Sequence, residues 1–178
     1  MNRNRHKKPR PPLDAEGLER LALHYVGRYA TTRAKLAAYL GRKLGERGWA
    51  ELSSPPVEQL VERFAAAGYI DDAAFASARA ASLQRRGYGE RRVAQALKAA
   101  GIGDEDAADA REEASDGAWA AALRFAERKR IGPYAAQEAD RQGRERAFAA
   151  MIRAGHRIEF IRRLINARPG EIPEMDKL

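Results

Sequence analysis

The sequence contains no cysteine, and only 7% of its residues are aromatic. The first absence excludes a disulfide framework and thiolate–zinc sites, and it suits a reducing compartment. The second leaves few large anchors for one thick core. No apolar run approaches the roughly 20 residues needed to span a bilayer, and the basic, proline-rich opening lacks the apolar stretch of a secretory signal. A soluble, cytoplasmic protein with no membrane partner is expected. Segments that alternate Val, Ile or Thr with polar residues are almost absent, which argues against sheets. Alanine, by contrast, makes up much of the 44% hydrophobic content. It is the best helix former and buries little area, so slender helical modules are predicted.

The chain has 178 residues and a formal net charge of +8. Five of those charges sit on Arg3, Arg5, Lys7, Lys8 and Arg10, in a segment without acids, leaving the body at +3. Such a tail can touch phosphates without specificity, or it can simply aid solubility.

Apolar residues recur at helical spacing. Leu18, Leu21, Ala22, Tyr25, Val26 and Tyr29 form one stripe, and Leu36, Leu40 and Leu44 a second, entered through Thr31-Thr32 as cap residues. Ser53-Ser54-Pro55-Pro56 reads as a serine-capped start for a third helix carrying Val57, Leu60, Val61, Phe64 and Ala65, which stops at Gly68. The pattern then restarts. Asp71-Asp72 supplies a cap for a helix with Phe75, Ala76 and Leu83, and Gly87-Tyr88-Gly89 breaks the chain before Val93, Ala96, Leu97 and Ala100. Gly101-Ile102 ends that helix, and Asp104 is expected to cap a short acidic one running to about Ser115.

A shift of 57 residues places Leu18 on Phe75, Val26 on Leu83, Leu36 on Val93 and Leu40 on Leu97, which suggests a duplicated three-helix unit. A fainter third unit carries Trp119, Leu123 and Ala126, then Phe148, Met151 and Ile152, then Ile158, Ile161, Leu164 and Ile165. Its first helix aligns at 44 residues and Gly155 on Gly101 at 54, so about ten residues are inserted near Gly132 to Arg141. The reading is all-α: three tandem three-helix repeats at 14–68, 69–115 and 116–168, between a basic tail (1–13) and a frayed end (169–178).

Catalytic chemistry finds no constellation. His6, His24 and His156 are scattered, and only His156 has a carboxylate at helical spacing, Glu159, which falls short of a metal site. Gly87-Tyr88-Gly89 resembles the start of a dinucleotide fingerprint, but Arg92 replaces the third glycine and no strand precedes it. Asp71-Asp72 is better explained by helix capping than by metal binding. No enzyme activity, cofactor or metal is expected.

Charge is patterned more tellingly. From Arg79 to Ile102 there are six basic residues and one acid, and from Asp104 to Asp116 seven acids and one arginine. On the helix containing Val93, the residues Arg91, Gln95 and Lys98 lie opposite the apolar stripe. Such bipolar faces suit a partner of mixed charge, neutralisation between neighbouring helices, or a solvated face. Further basic positions are Arg124, Arg128, Lys129 and Arg130.

Gly68-Tyr69-Ile70-Asp71-Asp72-Ala73-Ala74-Phe75-Ala76, then Gly87-Tyr88-Gly89-Glu90-Arg91-Arg92-Val93 and Leu97 to Ile102, resemble the signature of the RecX family, with Val93 where isoleucine is usual. Thr32-Arg33-Ala34-Lys35-Leu36 with Leu40 is similar to the family's first-repeat element, so the likeness covers roughly residues 14 to 102. The third unit matches only in its helical layout. The resemblance implies three tandem three-helix repeats in an elongated, curved array. It also implies a monomeric regulator in DNA repair, recombination and the SOS response. Such a protein binds the RecA–DNA filament, meets DNA weakly or within that filament, and restrains ATPase, strand exchange and coprotease activity. The contact candidates are Arg79, Arg85, Arg86, Arg91, Arg92 and Lys98, with Arg28, Arg33 and Lys35 as secondary ones. Tyr69 is a candidate for packing between modules. The competing readings are a helical module that binds nucleic acid without RecA and an adaptor for another protein. Salt-sensitive affinity for naked DNA would favour the first of these, and protein binding without DNA the second.

Overall fold

The computed structural model describes residues 11–174. The basic positions from Arg3 to Arg10, which carry the expected tail, lie outside the described residues. Among the described residues there are nine α-helices and no strand: α1 (Ala15–Val26), α2 (Arg33–Arg47), α3 (Val57–Ala66), α4 (Asp72–Arg85), α5 (Glu90–Ala99), α6 (Ala108–Asp116), α7 (Ala118–Lys129), α8 (Arg141–Arg153) and α9 (Ile158–Ile165). The all-helical class read from the sequence is what the chain adopts. It divides into two compact units, residues 1–72 and 73–178.

In the first unit, α1–α3 enclose Leu18, Leu36, Leu40, Leu60, Val61 and Phe64. Burying each of these large side chains contributes about 1.5–3 kcal/mol. Leu13, which composition groups with the tail, is buried in the same core, and its N–H and C=O pair with Gly48 and Ala50 at 3.0 and 2.8 Å. Local chemistry sets the helix starts. The Asp14 carboxylate accepts from the Gly17 N–H at 2.7 Å, and the Thr32 hydroxyl accepts from the Lys35 N–H at 3.2 Å. The expected serine cap on α3 is not used: Pro56 holds the N-cap position without a side-chain hydrogen bond. Tyr29 lies beyond the end of α1 and is exposed, leaning on Tyr25 at 5.3 Å. Tyr69 is 56% exposed and rests against Phe64 at 5.3 Å.

The second unit contains two alanine-rich cores. α4–α6 bury Ala76, Ala80, Leu83, Val93, Leu97 and Ala110. α7–α9 bury Ala122, Phe125, Ala126, Met151, Ile161 and Leu164. Asp104 does not cap α6; Ala107 does so without a side-chain bond, and Asp104 instead pairs with Arg111 at 2.8 Å. Ile152 and Ile158, expected on core stripes, are 38% and 41% exposed.

Burial refines the repeat register. Leu36/Val93 and Leu40/Leu97 keep the 57-residue spacing, but the buried pairs on the first helices, Leu18/Ala76 and Ala22/Ala80, are 58 apart. In the third repeat, Ala118, Ala122 and Phe125 take the places of Ala76, Ala80 and Leu83 at 42 residues, while Trp119 is only half-buried. The register therefore moves from 42 on α7 to 54 at Gly155, a larger insertion than the aromatic pattern suggested. Gly101 and Gly155 both adopt positive φ, +72° and +88°. The residues that follow make the same backbone bond, Ile102 to Leu97 and His156 to Met151, each 3.2 Å. His156 thus occupies a position that the second repeat fills with isoleucine.

Candidate interaction face

Three glycines position α5. Gly87 has φ +74° and its backbone lies against α7, where a Cβ would meet Phe125 and Ala121. Gly89 has an ordinary extended φ of −79°, so close approach, and not backbone freedom, demands glycine there. A Cβ on Gly89 would overlap the Gly155 carbonyl, and one on Gly155 would overlap the Arg92 backbone. The contact lets the Gly89 and Arg91 N–H groups donate to Ala154 and Gly155 at 2.9 and 3.2 Å. Two of the N–H donors at the start of α5 are thereby satisfied by carbonyls just past the end of α8.

Side chains complete the joint. Arg157 donates from Nε and Nη2 to both carboxylate oxygens of Glu90 at 2.8 and 2.6 Å, and from Nη2 to the Ser115 hydroxyl at 2.7 Å. The Arg157 hydrogen bond holds the Glu90 carboxyl below its usual value, and the same bond raises Arg157. His156 is 1% exposed and edge-on to Phe125 at 5.2 Å, and its ring nitrogens make no hydrogen bond of good geometry, the Gly87 backbone engaging the ring only weakly. Burial pushes its pKa down to about 4, helped by the Arg128 charge and opposed by the Gly87 backbone. The anticipated His156–Glu159 pairing does not form, since Glu159 faces Arg157 at 3.9 Å. Among the described residues no cluster of three or more metal-ligating side chains occurs.

Around this joint the surface is basic. Val93 and Leu97 point into the core, while Arg91, Arg92, Gln95 and Lys98 are exposed, as are Arg79, Arg85 and Arg86 near α4. Arg79, Arg85, Arg91, Arg92 and Lys98 have no ion-pair partner among the described residues. Arg86 and Arg128 lie over the Tyr88 ring at 5.3 and 5.9 Å. From α7, Arg124 donates to the Gln84 carbonyl at 3.2 Å and Arg128 to that of Arg86, closing the C-terminal end of α4 with cations. Arg124 and Arg128 therefore join Arg85 and Arg86. Tyr88, which packs against both alanine-rich cores, is the aromatic centre that sequence reasoning passed over.

The secondary candidates belong to the first unit. Arg28 is exposed beside Tyr29. Arg33 is engaged internally: buried Asp72 accepts from its backbone N–H at 3.0 Å and pairs with its guanidinium at 3.4 Å, and Glu62 lies 3.7 Å away. Lys35 is half-buried in the first turn of α2. Asp72 thus serves the start of α2, a role that no local pattern discloses.

Residues 71–110 match the family model described as RecX, second three-helix domain. The chain is 35% identical over 176 residues to the regulatory protein RecX of Myxococcus xanthus, covering 92% of this chain and 91% of that one. It is 30% identical over 143 residues to the regulatory protein RecX of Agrobacterium fabrum, with 78% and 76% covered. The crystal structure of RecX from Lactobacillus salivarius shares the fold, with a TM-score of 0.61 at 16% identity over 85% of this chain and 94% of that one. The chain belongs to the RecX family, and these relatives are named regulatory proteins, not enzymes. No helix among the described residues is long and apolar enough to cross a membrane.

Proposed function

We propose that this RecX protein is a non-catalytic, cytoplasmic regulator, acting as a monomer, that binds the RecA–DNA filament and restrains its ATPase, strand-exchange and coprotease activities. The observation that carries this reading is the exposed set Arg79, Arg85, Arg91, Arg92 and Lys98 on α4 and α5, none in an ion pair among the described residues and all within the part matched by the family's second three-helix domain. A filament offers protein carboxylates and DNA phosphates together, and local basic stripes on a body of modest net charge suit such a mixed surface. Arg86, Arg28 and Lys35 extend the contact set, while Arg33 contributes mainly by ordering α2. The three-repeat division at 14–68, 69–115 and 116–168 belongs to the same proposal.

The test is the single-stranded-DNA-dependent ATPase rate of the cognate RecA as this protein is titrated in, with DNA binding measured in parallel. Inhibition well below the concentration that coats the DNA is expected. Inhibition only at DNA saturation would replace the proposal with simple competition for nucleic acid, for which the guanidinium-flanked Tyr88 is the natural contact.

A further inference from the structure

We propose that the cleft between the end of α7, the following loop and α8 is a docking site for an acidic segment of a partner protein, one carrying an aliphatic residue among its carboxylates. The cleft holds about 380 Å³, within the range of ligand sites. Its lining includes the aliphatic side chains of Ile131, Ala147 and Ile165, and the cations Lys129, Arg130, Arg144 and Arg146. These four cations are exposed, and none has an ion-pair partner among the described residues. Glu145, which lies between Arg144 and Arg146 in sequence, pairs instead with Arg141 at 3.0 Å. Glu138 lines a smaller groove that shares Gly132, Ala135, Ala139 and Arg144 with the cleft.

The cleft is a product of the insertion in the third repeat. Eleven residues separate α7 from α8, against four between α4 and α5, and the loop's Gly132, Ala135 and Ala139 form one wall. That wall is held in place. Gly132, at φ +56°, lies so close to the Leu164 carbonyl that a Cβ would overlap it, and the Gly170 N–H donates to the Pro133 carbonyl at 2.8 Å. A preformed wall lowers the ordering cost of binding. Between residues 118 and 170 there are twelve Lys or Arg and five Asp or Glu, so this region attracts an acidic partner from a distance.

Aliphatic floor and cationic rim together select the ligand. A leucine or isoleucine side chain fits between the methyl groups while flanking carboxylates meet the guanidinium groups. No aromatic ring lines the cleft, so a nucleobase has nothing to stack on, unlike at Tyr88. The docking site stands apart from the filament contact, because it needs only a partner segment of this chemistry.

The experiment is fluorescence anisotropy of the full chain with a fluorescein-labelled synthetic peptide of glutamate and aspartate bearing a central leucine and isoleucine. Saturable binding is expected. Arg144→Glu with Arg146→Glu should weaken it about tenfold or more, because two attractions become repulsions. Ala139→Trp, which obstructs the exposed wall without altering charge, should weaken it severalfold, as should serine in place of the two aliphatic residues of the peptide. Circular dichroism checks that both variants stay helical. The proposal is overturned by an absence of saturable binding, or by unchanged affinity in both variants. Displacement by oligo-dT at lower concentration than unlabelled peptide also overturns it, and would make the cleft a phosphate site.

Discussion

The two compact units are held together by different means. In the first, leucines from three helices interlock around Leu36 and Leu40, and ion pairs such as Arg63–Glu19 (2.7 Å) and Arg33–Asp72 trim the edges. In the second, two cores rich in alanine meet through backbone, with Gly89 on Gly155 and Gly87 on α7. Alanine brings helices close but buries little area, so this unit relies on main-chain contact and on Arg157–Glu90 where the first relies on side-chain volume. A side-chain core relaxes partly around a change. A backbone contact between helices has no such slack, since nothing at the contact can rotate away.

That contrast is most sharply tested by adding one methyl group. Gly89→Ala, whose Cβ falls on the Gly155 carbonyl, should cost about 3 kcal/mol or more in thermal or urea unfolding. A cost under about 1 kcal/mol would show that the joint between the α5 start and the α8–α9 turn can open without penalty.

Acid should separate the units next. The depressed His156 pKa means that stability is highest above the unfolded value of about 6.5, where the ring is neutral in both states, and is lost as the pH falls toward about 4. Up to about 3 kcal/mol disappears across that window. The lowered Glu90 pKa acts in the same direction, its stabilisation being present above the ordinary carboxyl value and lost as the pH falls through the depressed one. His156→Ile, copying Ile102 of the second repeat, should flatten the slope above pH 5 and raise neutral-pH stability by about 1 kcal/mol. Urea titrations from pH 7 to 4 measure both.

Arg157→Ala and Asp72→Ala are the corresponding side-chain lesions in the two units. Each removes a charged hydrogen-bond partner and should cost about 2 kcal/mol by equilibrium unfolding. A smaller change, of opposite sign, is expected on α2. Gly45 lies inside that helix, and a methyl group there would meet nothing within 4 Å, so Gly45→Ala should raise stability by about 0.5–1 kcal/mol. Arg91→Ala with Arg92→Ala and Lys98→Ala should move stability least, within about 0.5 kcal/mol, while weakening inhibition of the RecA ATPase. Unchanged inhibition would remove the α5 face from the proposed contact.

Much of the fold was legible locally. Thr32, Gly68 and Gly101 mark helix ends because caps and positive-φ turns depend on one or two neighbours, and the opposite faces of α5 follow from 3.6-residue periodicity. The serines before α3 and Asp104 before α6 misled, because the chain paths there leave them without a backbone donor to cap. The basic residues of the candidate face were visible as a count along the chain. Their grouping with Arg124, Arg128 and Tyr88 was not, since those contacts join positions about forty residues apart.

Composition and periodicity by themselves determined that this protein is helical and repetitive, because helix propensity and amphipathic spacing act over a few residues. Only the tertiary structure decided that Gly89 needs to be glycine, that His156 is buried where an isoleucine would serve, and that the third repeat's insertion walls a cationic cleft. Each of those depends on which backbone approaches which, and close approach between segments distant in sequence leaves no periodic trace in either one.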